Sequence, residues 1–302
     1  MDYIKIIKKS ADITWNNKFL WILGLLAGGG LSSFNSGGWN FFQGNGEDLE
    51  KAVDSSKDFL SENFTLILVA LVVILLITII LGILSIIFKG GLISCTNKLS
   101  LRKSEQEKLN LGEQIRFSYG FREGLKYFWK VLGLGLIIFL ILLPPIILLV
   151  AVGVFAVLKN LIIGMLIIGL IVLFLIPIAI IVSLIYAFGL RFLIIKGLGI
   201  RQSLKKGKEL LFANFWKTII AGVVLLIINM FLVFAMFVGI AIIAVPFVIL
   251  GFILVVLLQT IGIIISIVFG GIAFLILFAV LQGIINAFHE TYWTLVFKEL
   301  TL

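Results

Sequence analysis

The 302 residues are 62% hydrophobic with a mean hydropathy of +1.25, against about 45–50% apolar residues in soluble domains, and no polar stretch is long enough to fold as a separate globular domain. A net charge of +9 would suggest nucleic acid in a soluble chain, but its placement, described below, excludes that reading. One cysteine, Cys95, and one histidine, His289, exclude an intramolecular disulfide and argue against a zinc, haem or iron–sulfur site, so no cofactor is expected.

Residues 3–17 alternate at helical spacing. Ile4, Ile7, Ala11 and Trp15 fall on one face, and Lys5, Lys8, Lys9, Asp12 and Asn16 on the other. Such a helix belongs in the headgroup plane on the anionic side of a membrane. A compact apolar run, 18–31, follows as a first span. Residues 32–46 are rich in Gly, Asn and Ser and read as loop. Residues 47–60 are acidic, with an apolar stripe that fits a short surface helix.

Residues 64–88 form an apolar run long enough to cross a bilayer. Residues 131–158 and 161–190 are two further spans, separated by Lys159 and Asn160 in a tight hairpin. From 218 to about 288 the chain is almost continuously apolar and fits two spans, 218–245 and 262–288, with the turn between Pro246 and Gly262. The expectation is an all-α polytopic membrane bundle of about six transmembrane helices, a single domain over 1–302.

Twenty-one of the 24 basic residues fall in segments 1–18, 89–130, 191–217 and the C-terminal tail, while the outer loop 32–63 carries six acids. This positive-inside pattern places those basic segments, and both termini, in the cytoplasm. Residues 1–31 also resemble a signal peptide. Asp12 and the amphipathic helix fit that reading poorly, and cleavage would leave five spans in the same orientation.

An internal repeat is visible. Lys8 to Asn17 lies over Lys205 to Asn214, sharing two lysines, an acid, an aliphatic, an aromatic and an asparagine in register. Each copy leads into an aromatic-rich start of a span, and a weaker third copy runs from Phe121 to Lys130. Three units follow, at approximately 1–100, 101–200 and 201–302. Each joins a basic interfacial helix to a two-span hairpin, although basic and aromatic residues also recur wherever a span leaves the cytoplasm.

The opening WNNKFLWILGLLAGGG, the repeated units and the ending ETYWTLVFKEL resemble a broad group of uncharacterised bacterial and archaeal six-helix membrane proteins. These are loosely similar to the membrane domain found beside some glycerophosphodiester phosphodiesterases. The phosphodiesterase barrel and its metal-binding residues are absent from this sequence, so the resemblance carries over no catalytic residue. It implies an inner-membrane protein linked to lipids or the envelope.

No ionisable residue lies in the middle of an expected span, which argues against a proton-coupled transporter. The candidate polar seam is Asn229, Gln259, Gln282 and Asn286, against the plainer reading of interhelical hydrogen bonds. The candidate contacts to anionic lipid are Lys5, Lys8, Lys9, Lys205, Lys206 and Lys208. His289 and Glu290 could form an acid/base pair but have no third partner in sequence. Gly24 and Gly28 have small-xxx-small spacing. The expected role is non-enzymatic and lipid-associated, with anionic headgroups, a protein partner or a second copy as partners and no nucleic acid. The alternative is a transporter or channel for a small neutral or amphipathic solute.

Overall fold

The computed structural model describes residues 1–28, 64–101, 115–159, 161–301. The expected loop 32–46 and acidic helix 47–60 lie outside the described residues. The elements are α1 (Tyr3–Asn16), α2 (Phe19–Ala27), α3 (Phe64–Leu99), α4 (Phe117–Lys159), α5 (Leu161–Ile195) and α6 (Ile200–Ala213). A last helical segment breaks at Gln259 (φ 48°, ψ −122°) into α7 (Phe215–Leu254) and α8 (Gln259–Thr301).

Five helices, α3, α4, α5, α7 and α8, are long and apolar enough to cross a membrane. Between 64 and 83, α3 has nearly every side chain exposed, with Leu66, Leu71 and Ile74 each above 60%. A helix that is apolar on all sides and buried on none needs a hydrocarbon solvent. The protein is therefore a multi-pass membrane protein. The run 18–31 yields a nine-residue α2, about 14 Å long, against a bilayer core of about 30 Å. It is not among the span-length helices, and residues 29–31 lie outside the described ones.

At one end, which we call the base, the span-length helices continue past their most apolar stretches. The turns there carry polar residues and pack, so that the buried core lies at the base: Phe88, Leu92, Phe188, Phe192, Tyr292 and Phe297 among others. Phe192 meets Phe297 edge-on at 4.8 Å, and Phe188 meets Trp293 at 5.9 Å. The Tyr292 hydroxyl donates to the Ala221 carbonyl at 2.9 Å. Both ends of the described chain meet here. The Tyr3 hydroxyl donates to Lys217 O, and Lys9 and Lys298 both bond Ser100.

Glycines set the closest approaches. A Cβ on Gly24 would overlap the Gly283 carbonyl, and one on Gly28 would overlap the Asn286 amide, so α2 lies directly on α8. Gly91 and Gly120 bring α3 and α4 together in the same way. Small residues at these positions let the helix backbones approach this closely. Pro144, Pro145, Pro177 and Pro246 all lie inside helices.

The face of α1 that meets the protein is Ile6, Ser10, Ile13 and Thr14. The stripe of Ile4, Ala11 and Trp15 faces outward, Ile4 and Trp15 at 65% and 64% exposure. On α6 the buried positions are Ser203, Gly207 and Leu211, which occupy the register of Ile6, Ser10 and Thr14. Both helices have 14 residues and end at an asparagine in a non-helical conformation, Asn17 and Asn214, before the next helix starts.

Candidate functional site: a cavity with an ion triad

Four helices converge above the core on a cavity of about 1020 Å³. Lys89 comes from α3, Arg191 from α5, Thr218 and Asn229 from α7, and His289 and Glu290 from α8. Arg191 sits in an apolar run, Phe188 to Ile195, that continues the helix, so its side chain cannot reach free water and is 1% exposed. Two of its three guanidinium nitrogens are bonded locally. Nη1 donates to Ala187 O at 2.7 Å, and Nη2 to Glu290 Oε2 at 2.8 Å and Glu290 O at 3.2 Å. The other Glu290 oxygen faces Lys89 Nζ at 3.6 Å. Lys89 also lies 5.3 Å above the Tyr186 ring.

The triad holds two fixed positive charges and one negative. Burying an ion costs several kcal/mol unless it is paired and hydrogen-bonded; Arg191 is the buried cation and is paired with Glu290, while Lys89, 30% exposed, supplies the surplus positive charge at the cavity. Three buried polar atoms in the cavity wall have no partner: Arg191 Nε, Thr218 Oγ1 and Asn229 Oδ1. Buried polar groups are normally satisfied, so these atoms mark where a polar ligand could sit. Both carboxylate oxygens of Glu290 are engaged by cations, which leaves it poorly placed as a general base beside His289. The arrangement is suited to holding an anion.

The expected polar seam is not assembled. Asn229 lines the cavity. Gln259 is exposed at the break between α7 and α8, about 45 Å farther along the helix axis. Gln282 and Asn286 are one turn apart on α8, with Asn286 against Gly28 of α2. A second cavity, about 320 Å³ between α7 and α8 near Gly251 and Ser266, shares no lining residue with the first. Among the described residues no group of three or more His, Cys, Asp or Glu could hold a metal ion. Cys95 is buried, with Sγ beside Gly120.

The six candidate lipid-contact lysines are all exposed. They occupy α1 and α6 at the base, with Lys9 bonded to Ser100 O at 2.9 Å and Lys206 to Glu209 at 2.8 Å. That hydrogen bond holds the Glu209 carboxyl below its ordinary range, although an exposed pair of this kind adds little stability. Exposed tryptophans accompany them: Trp15 at 64% and Trp216 at 74%.

A family profile matches residues 17–301 and describes a family of unknown function, DUF7544. The chain belongs to this family. No curated protein and no solved structure matches. None of these comparisons shows a link to the membrane domain of glycerophosphodiester phosphodiesterases.

Lys89 and Arg191 are the first residues of the basic segments 89–130 and 191–217, and a count of charges does not single them out. The available signal was their context. Phe188-Gly189-Leu190 and Phe192-Leu193-Ile194-Ile195 flank a single arginine, and Phe88 and Gly90-Gly91-Leu92-Ile93 flank a single lysine. A lone charge inside continuing apolar helix needs a partner.

Proposed function

We propose that this protein is a non-enzymatic, multi-pass protein of the cytoplasmic (inner) membrane that binds and organises anionic lipid at its cytoplasmic face. The observation that carries this reading is the pair of matched helices α1 and α6. Both lie at the base, both expose lysines, and both have an exposed tryptophan at or next to their ends. Each clustered cation near an anionic leaflet contributes about 1 kcal/mol of attraction, and an amphipathic ring is at home at that depth.

Charge placement supports the same orientation. The basic residues cluster on α1, on α6 and at the ends of the span-length helices that pack around them, which places this base in the cytoplasm under the positive-inside rule. The shared burial register of α1 and α6 supports their descent from one repeated unit.

The test uses the full chain in bilayers that mix phosphatidylglycerol with phosphatidylcholine. Brominated versions of each lipid report their enrichment by tryptophan quenching. The protein is expected to be quenched more by the anionic lipid, and reversing Lys205, Lys206 and Lys208 to Glu is expected to remove most of that preference. An unchanged preference would sink the proposal.

A further inference from the structure

We propose that the cavity between α5, α7 and α8 is a binding site for one anionic, phosphate-headed amphiphile, with its headgroup against Lys89, Arg191 and Thr218 and its chain running up between α5 and α7. This deepens the lipid-binding reading and rests on it, but it concerns a separate place in the molecule. Three observations converge. The triad carries one positive charge more than Glu290 neutralises. The Arg191 Nε and the Thr218 hydroxyl are buried in the cavity wall without partners, and Arg191 and Thr218 are 1% and 0% exposed. A phosphate oxygen accepts from both kinds of donor, and guanidinium–phosphate bonds are among the stronger ones available.

The occupant's size and shape follow from the rest of the wall. A free oxyanion, equivalent to a few waters of about 30 Å³ each, would leave most of the 1020 Å³ unfilled. Away from the triad the lining is aliphatic. Ile176 and Ile180 of α5 face Leu226 and Met230 of α7 across the opening, each at least 50% exposed. The cavity is therefore polar at the base and open to hydrocarbon above, matching a lipid in both depth and polarity. Asn229, part-way up, offers an unpartnered carbonyl oxygen to a glycerol hydroxyl.

The test is thermal unfolding of the delipidated full chain in detergent micelles, with no bilayer surface present. The probes are phosphatidylglycerol, phosphatidylcholine and inorganic phosphate, each titrated separately, and a ligand selective for the native state raises the midpoint by mass action. Phosphatidylglycerol is expected to raise it saturably, with one site per chain. Phosphatidylcholine and millimolar phosphate are expected to have little effect. Lys89→Gln, at a 30% exposed side chain, is expected to weaken the apparent affinity roughly ten-fold. Leu226→Trp, which narrows the chain channel at a 58% exposed position, is expected to do the same while the protein still folds. An equal shift with inorganic phosphate would make the ligand a free oxyanion and overturn the proposal. So would an equal shift with phosphatidylcholine, or unchanged affinity in both variants. Loss of binding here with the bilayer preference intact would overturn the cavity site alone.

Discussion

Arg191 and Glu290 are 99 residues apart in the chain and 2.8 Å apart in the fold. Their pairing ties α5 to α8 where the packed base meets the apolar spans. Removing Glu290 leaves the buried Arg191 charge alone, at a cost of about 3–5 kcal/mol, whereas removing Arg191 leaves Glu290 still facing Lys89, and replacing both with apolar residues is often tolerated. Glu290→Leu is expected to lower the unfolding midpoint strongly, and Arg191→Leu to lower it less. The double variant is expected to recover much of the loss, so a double-mutant cycle read by thermal unfolding will show strong coupling.

The contact of α2 with α8 is set by backbone, not side chains. A Cβ on Gly24 would overlap Gly283 O, and one on Gly283 would overlap Trp21 O. Gly24→Leu is expected to destabilise by about 1–3 kcal/mol or to detach α2. Gly135→Ala, where a Cβ meets nothing within 4 Å, is expected to be neutral. Thermal unfolding of the two variants side by side checks the contrast.

Gln259 occupies φ 48° and ψ −122°, a conformation that glycine adopts freely and side-chain-bearing residues do not. Gln259→Gly is expected to stabilise the protein on the order of 1 kcal/mol by relieving this turn. A lowered midpoint would mean that the glutamine side chain makes compensating contacts.

Cys95 is 0% exposed, packed near Gly120 and Leu23. A membrane-permeant maleimide is expected to leave the folded protein unlabelled and to modify one thiol per chain after denaturation. Labelling along a denaturant series therefore gives a single-site readout of base unfolding.

Much of the architecture was legible from apolar runs and loop chemistry. Helix α4 ends at Lys159 and α5 begins at Leu161, where the sequence Lys159-Asn160 interrupts the apolar run. The last break, at Gln259, falls inside the expected Pro246–Gly262 interval. Pro246 itself stays helical, because a proline inside a long membrane helix can be accommodated without ending it. Helix length was less legible. Phe121 to Lys130 reads as an interfacial helix separate from the span, but it is continuous with it in α4, since a polar sequence does not stop a helix that lacks a breaker.

The site was the least legible part. Helical periodicity says which residues share a face, not which other helix meets that face. Asn229 belongs to the cavity, but its grouping with Gln259, Gln282 and Asn286 came from residue type alone. The partners that matter, Lys89 and Arg191, lie on other helices far off in sequence. For α1, the outward stripe of Ile4 and Trp15 and the inward stripe of Ile6 and Ile13 are both partly apolar. Only the packing of Ser10 and Thr14 against the bundle shows which one faces the protein.

The most direct test of lipid binding is native mass spectrometry of the wild-type chain, gently released from its membrane. About one anionic phospholipid per chain is expected to be retained, surviving at collision energies that strip loosely bound lipid. A lipid-free chain carrying a stoichiometric protein partner would contradict it and make the protein an accessory subunit of that partner.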